Sequence, residues 1–496
     1  MTDATDLYRL SAGALAAGIR DRRFSPVEVL DEILARVEAL NPVLNAYCLI
    51  RGDEVREEAR RAESAVVRGG ELGPLHGVPV SIKDITPTRG IRTTFGSRAF
   101  ADHVPDEDAI LVERLRAAGA LIVGKTNTPE FGNKGVTESP LFGRTNNPWR
   151  LTHSAGGSSG GAAAAVAAGL GPLGDGSDGA GSIRIPASMC GVVGLKPSFG
   201  RVPVWPRNGY ESISHHGPLA RTTDDAALML SVIAGDDPRD PYTAPPAPSH
   251  FVAAAREADI AGWPIAFSAD LGAGPVEPVV AASTRAAAER LTDLGATVDE
   301  RTPDVPDPRE AITVIWRVSL GTIAHDRVLP VIGRERMDAH LLELLDAARG
   351  ITAVEYYRAS QLFRHAFFRA MTAFFEEYRL LVTPTLAVAP FRHPDDARPG
   401  PTHAAGREID PFLGWLLTYH FNLTGQPAIS IPCAVTDDGL PVGLQIVGRP
   451  GADADVIRAA SALEEALGCR DRRPPIDAIA DPSRGDEPVA DDDASL

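Results

Sequence analysis

The chain of 496 residues is 44% apolar and 23% charged, ordinary globular proportions that exclude a fibrous, low-complexity or wholly disordered protein. Lys and Arg number 49 against 66 Asp and Glu, a net charge of −17 whose field repels polyphosphate and anionic lipid, so no nucleic acid and no membrane is expected as a partner and a small molecule is. Cys48, Cys190, Cys433 and Cys469 lie too far apart for a disulfide framework or a paired zinc site, and residues 1–10 lack the basic start and apolar run of a signal peptide, so a reducing, cytoplasmic location is expected.

Helices come first. Ser25-Pro26 ahead of Val27, Val29, Leu30, Ile33, Leu34 and Val37 predicts a helix opened by a serine cap and a first-turn proline. From residue 71 the texture changes: 77–84 reads as a strand ending in Lys83, 109–118 as a helix and 120–123 as an apolar strand, a β-α-β unit with parallel pairing. Residues 156–181 then hold ten glycines in 26 positions around an alanine run, where backbone rather than side chains is being placed. The uncharged stretch 162–174 is too short and too Ala/Gly-rich to span a bilayer.

Between about 300 and 415 the pattern is helical again, most clearly over 352–381, with Phe363, Phe367, Met371, Phe374 and Tyr378 as a core-facing stripe. Residues 382–385 read as a strand end, 426–432 and 442–447 as two late strands, and 453–467 as a helix. No Pro/Ser-rich linker interrupts the chain before 480. The expected organisation is therefore an N-terminal helical segment over 1–70 packed on the core and one α/β domain over 71–480, with a helical pocket region at about 300–415. The acidic stretch 481–496 reads as a disordered tail.

Only four of the 49 basic residues are lysines: Lys83, Lys125, Lys134 and Lys196. A chain that uses arginine wherever a solvated charge suffices keeps a lysine where a proton must be lost. Lys83 fits best, because its position at the end of an apolar strand favours the neutral amine.

The run Gly156-Gly157-Ser158-Ser159-Gly160 formally matches the G-x-S-x-G nucleophile elbow, but 151–155 makes a poor preceding strand. A phosphate loop would need a GK[ST] ending that is missing, and a Gly/Ser turn capping a helix through Ser158 or Ser159 is the plain structural alternative. Downstream, Ser182 follows Gly179, Ala180 and Gly181, whose backbone N–H groups can converge on a substrate oxygen without crowding it.

The run GGSSGGAAAAVAAGLGPLGDGSDGAGSIRIPASMCGVVGLKPSFGR (156–201) and the strand GVPVSIKD (77–84) resemble the signature segment and the catalytic-lysine motif of the amidase signature family. Lys83 and Ser182 are 99 residues apart and Ser158 and Ser182 are 24 apart, spacings similar to that family's Lys–Ser–Ser triad. GKTNTPEFG (124–132), RTNNPW (144–149) and FNLTGQPAISIP (421–432) extend the likeness over about 70–470. The resemblance implies a mixed, mostly parallel β-sheet with helices on both faces, Ser182 as nucleophile, Ser158 as relay after a cis peptide, and Lys83 as base. It implies an oxyanion hole at Gly179, Ala180 and Gly181, with Ser159, Asp178 and Arg184 bracing the loop.

Ala180 departs from the family's usual Gly-Gly before the nucleophile, a form similar to that of amidases of the cyclic-dimer and aryl-acylamide type. The resemblance thus implies a cofactor-free, metal-free amide hydrolase working through an acyl-enzyme on a hydrophobic, aryl or linear amide, with carbamates (a urethanase activity) and esters also within its chemistry, and with a homodimer as the assembly. The rival reading is the catalytic subunit of a tRNA-dependent amidotransferase, which relays ammonia from glutamine; the apolar run 412–423 is a poor glutamine site. His153, His215, His216 and Cys190 read as structural.

Overall fold

The computed structural model describes residues 6–207, 212–244, 250–394, 396 and 398–480. The acidic tail expected over 481–496 lies outside them. Eleven strands form the central sheet: β1 (Tyr47–Ile50), β2 (Pro79–Lys83), β3 (Leu121–Thr126), β4 (Leu173–Asp178), β5 (Val193–Lys196), β6 (His215–Ala220), β7 (Pro264–Phe267), β8 (Thr297–Glu300), β9 (Leu380–Pro384), β10 (Ala428–Val435) and β11 (Pro441–Gly448). Their spatial order is β1-β3-β2-β4-β6-β5-β10-β11-β9-β7-β8.

The architecture is the expected α/β one, a single mixed sheet between helical layers. Parallel pairing is confined to two wings, β3-β2-β4 and β9-β7-β8, where helical crossovers return the chain to the same end. The β2–helix–β3 unit reads as expected, with its helix at Ile110–Ala117. Between the wings the pairings are antiparallel, the six antiparallel outnumbering the four parallel among the described residues. The hairpin β10–β11, joined by a short turn, needs no crossover helix, and this is why the centre of the sheet departs from the parallel pattern.

The segment 1–70 is not helical throughout. Ser25 and Glu28 form a capping box on the helix Pro26–Leu44, as the serine-proline signal predicts, but the four residues of β1 then pair antiparallel with β3 and close that edge of the sheet. Such a short strand, flanked by helices, carries too few alternations to be legible.

Alternation along β2 sets the direction of Lys83. Val80 and Ile82 join the core beneath the helices Ile110–Ala117, Thr223–Ile233 and Asp453–Ala466, and Lys83 next to Ile82 points away from it. The helical region forms a core of its own, in which Phe367, Met371 and Phe375 are buried and Phe363, Phe374 and Tyr378 pack against them; the stripe is a core face.

Candidate active site

Lys83 ends β2 with its side chain fully buried. Its Nζ lies 2.7 Å from Ser158 Oγ and 3.0 Å from Ser177 Oγ. Loss of hydration disfavours the ammonium and pulls the lysine down to about 7, against the opposing fields of Asp175 and Asp178. An amine that is half neutral near pH 7 and touches a hydroxyl can take up that hydroxyl's proton.

The serine it touches follows a cis peptide bond, Gly157–Ser158. Gly157 admits no side chain, since a Cβ there would stand 2.8 Å from the Val136 carbonyl carbon. Gly132 is as tightly placed, a Cβ on it falling 3.0 Å from Ser158 Oγ. Thr137 Oγ1 accepts from Gly160 N–H at 3.0 Å, so the segment 132–137 forms the wall behind Ser158. The helix Gly160–Ala167 begins directly afterwards, but the capping serine expected there does not cap: Ser159 sits at the N-cap without a side-chain bond to the helix. Its Oγ lies 3.4 Å from both the N–H and the carbonyl of Ser177, and its own N–H donates to Ser182 O at 3.2 Å. The short hairpin Asn146–Asn147 and Arg150–Ser154 precedes this turn, so 150–154 is a strand after all; it pairs outside the central sheet, unlike the strand of a nucleophile elbow.

Ser182 follows β4 on the loop 179–182 and has little exposure. Asp178 organises that loop. Its Oδ1 accepts from Gly181 N–H at 2.7 Å and its Oδ2 from Ile183 N–H at 3.2 Å. This corrects one expectation: the Gly181 N–H is spent on the aspartate because the loop closes as a turn around that carboxylate, and it does not face a substrate oxygen. The N–H groups of Gly179 and Ala180 carry no hydrogen bond among the described residues, nor does Ser182 Oγ. Gly181 has φ +133°, and a Cβ on it would meet Thr418 Oγ1 at 2.1 Å, so glycine is required there.

Asp178 and Arg184 are a buried pair, with no exposure on either side chain, joined by Arg184 Nε and Nη2 at 2.9 Å each. Burial alone would raise the Asp178 carboxyl, but Arg184 outweighs it and holds the group well below the usual carboxylate range. Arg184 also donates to Thr418 O, Gln445 Oε1 and Asn422 Oδ1. Asn422 Nδ2 returns to Asp178 Oδ1 at 2.9 Å, and Thr418 Oγ1 donates to Ala180 O at 2.6 Å. Ser177, Thr418, Asn422 and Gln445 were not expected at the site. Asn422 lies in the FNLTGQPAISIP run and could have been noticed; Thr418 is hidden in an aromatic-aliphatic run, and only the fold brings it under the loop.

The remaining lysines are buried too. Lys125 Nζ reaches Thr86 O, Thr88 Oγ1 and Thr93 Oγ1 and is pulled down by burial to about 8. Lys134 pairs with Asp338, and Lys196 donates to the Gln426 carbonyl. Burial keeps His215 neutral, with Nδ1 against the Asp178 and Ile213 carbonyls. Cys190 donates to Ala155 O, with its thiol pushed up by burial. His153 is buried beside Thr152.

A cavity of about 170 Å³ is lined by Ile85, Thr86, Phe95, Phe131, Trp205, His216, Asp106, Glu107, Arg207 and Arg327; Lys83, Ser158, Ser177 and Ser182 do not line it, and Ile85 and Thr86 tie it to the chain just beyond Lys83. Phe131 directly precedes Gly132. No described helix is long and apolar enough to cross a membrane.

Residues 28–457 match the Amidase family. An acylamidase of Rhodococcus erythropolis is 42% identical over 472 residues, 95% of this chain and 98% of that protein. One subunit of the Glutamyl-tRNA(Gln) amidotransferase of Moorella thermoacetica is 37% identical over 495 residues, 95% of this chain and 99% of that protein. Among solved structures, a bacterial aryl acylamidase of the amidase signature enzymes superposes with a TM-score of 0.88 at 32% identity, over 95% of this chain and 100% of that one. A 6-aminohexanoate cyclic dimer hydrolase complexed with substrate gives 0.84 at 31% identity, over 95% and 100%.

Proposed function

The chain belongs to the amidase signature family of amide hydrolases, and from that premise we propose that Ser182, Ser158 and Lys83 form its catalytic relay, acting on hydrophobic or aryl amides through an acyl-enzyme. The observation that carries the reading is the buried 2.7 Å contact between Lys83 Nζ and Ser158 Oγ, with the lysine near neutrality.

In the proposed sequence, Ser182 Oγ attacks the substrate carbonyl while its proton passes to Ser158, whose own proton goes to the neutral amine of Lys83. The N–H groups of Gly179 and Ala180, which carry no hydrogen bond among the described residues, receive the developing oxyanion. The proton then returns from Lys83 through Ser158 to the leaving nitrogen, the C–N bond breaks and the amine departs. A water loses its proton along the same path as it attacks the acyl-Ser182 ester, and that proton returns to Ser182 Oγ as the ester C–O bond breaks and the acid is released.

The acylamidase and aryl acylamidase among the relatives, and the aromatic side chains of Phe95, Phe131 and Trp205 in the cavity, support an apolar or aryl substrate; the same oxyanion chemistry extends to carbamates and esters. The amidotransferase reading has weaker support, because the 37% identity to that relative is below the 42% to the acylamidase. We further propose a cytoplasmic enzyme acting on small amides as a homodimer, without nucleic-acid or membrane partners. A panel of chromogenic anilides, carbamates and short esters, assayed with the native enzyme and with Ser182→Ala, tests the reading. Turnover of an anilide that vanishes in Ser182→Ala supports it; more than a few per cent residual turnover removes Ser182 from the nucleophile's role.

A further inference from the structure

Asp175 is a carboxylate with no exposure, two residues before Ser177 on β4, so the two side chains share a face of the strand. Ser177 is the second hydroxyl that Lys83 touches. Two groups fix the carboxylate: Thr86 Oγ1 donates to Oδ2 at 2.6 Å, and His216 Nδ1 lies 3.4 Å from Oδ1. Thr86 and His216 both line the cavity, so Asp175 is one side chain removed from its wall.

The charged and titratable groups around it are Lys83 and Asp84 at the end of β2, Lys125 on β3, Asp178 on β4, and His215 and His216 on β6. Asp178 is neutralised by Arg184. Asp84 accepts from Thr94 and acts chiefly on Lys125. His215 is held neutral against the carbonyls of Asp178 and Ile213. Asp175 is thereby the negative charge with the largest hold on Lys83, ahead of Asp178.

We propose that Asp175 is a positioning residue of the reaction: its buried carboxylate, fixed by Thr86 and His216, sets how readily Lys83 exchanges its proton with Ser158. The inference rests on reading Lys83 as the base. A lysine in an apolar site with no counter-charge loses its proton at low pH but is then a feeble base, whereas a tightly paired one never lets the proton go. One carboxylate engaged by other donors, and not in direct contact with the amine, lies between these extremes.

The scarcity of lysine makes the test direct. Enzyme labelled with 13C at lysine Cε carries four lysine signals, and Lys83→Met assigns that of Lys83. The signal is titrated in the wild type, Asp175→Asn and Asp175→Ser, alongside the pH dependence of kcat/KM on a chromogenic anilide. The expected result is a Lys83 midpoint lowered by about one pH unit in the neutral variants, the acid limb of the rate profile moving with it, kcat falling several-fold and KM holding within about twofold. The Lys125 signal moves less. Two neutral substitutions are used so that a folding failure in one leaves the other to be read. Variants that lose activity or melt earlier with the Lys83 midpoint unmoved overturn the proposal. A wild-type rate profile that ignores the Lys83 titration refutes the base assignment instead, and leaves the effect of Asp175 on Lys83 readable from the signal itself.

Discussion

Lys134 Nζ lies 2.9 Å from Asp338 Oδ2, both side chains being almost fully buried, and this pair clamps the helical region to the segment that walls Ser158. Asn133 Nδ2 donates to the other Asp338 oxygen at 3.0 Å, and Asp338 N–H donates to Glu130 Oε2 at 2.7 Å. Asp338 also caps the helix Ala339–Ala348 by accepting from His340 and Leu341 N–H. The segment between Glu130 and Lys134 contains Gly132, which abuts Ser158, so the clamp is one short loop from that serine.

Asp338→Ala should therefore cost about 3–5 kcal/mol of stability, because it breaks a buried ion pair and removes a helix cap. Lys134→Met combined with Asp338→Ala should cost less than the sum of the single changes, since both sides of the pair are removed together. Urea denaturation of the four proteins measures this. Additive losses would mean that the two side chains do not interact.

Gly181→Ala should lower kcat by at least about 100-fold and reduce stability by about 1–3 kcal/mol. The added methyl requires a left-handed backbone with φ +133° and collides with Thr418 Oγ1, which in turn holds the Ala180 carbonyl. Steady-state kinetics and thermal melts report the two effects separately, and a fully active variant would show that the loop is not fixed as described.

The activity should depend on pH through Lys83. Its ammonium is disfavoured by burial, with a midpoint at about 7, so the amine is protonated and inactive below that pH and neutral above it. The rate should rise through pH 7 and level towards about 8–9. A maximum near pH 5 would require a carboxylate base.

Lys83→Arg separates charge from proton exchange. Arginine fills 45 of the 49 basic positions in this chain, so an electrostatic anchor should tolerate it. The guanidinium cannot accept a proton from Ser158 at neutral pH, and its fork does not fit between two hydroxyls that lie 2.7 and 3.0 Å from the present amine. Turnover should fall by at least about 1,000-fold, with the far-ultraviolet spectrum unchanged. Near-normal kcat would end the serine-lysine mechanism.

Local order along the chain determined a good deal on its own. The glycine-serine runs, the strand ending in Lys83, the β-α-β unit and the late hairpin depend on neighbours within a few residues, and alternation, caps and small-residue runs record those directly. The burial of Lys83 was legible from its place at the end of an apolar strand, whereas that of Lys125, Lys134 and Lys196 was not. What the tertiary structure decided is which distant groups meet. Thr418 reaches under the Ser182 loop from more than 200 residues away, Gly181 gives its N–H to Asp178 because the loop closes around that carboxylate, Asp338 of the helical region grips Lys134, and Asp175 comes to share a buried field with Lys83. None of these leaves a periodic or compositional trace, because each is a single long-range contact whose energy comes from desolvation and geometry created only when the sheet and the helical region pack together.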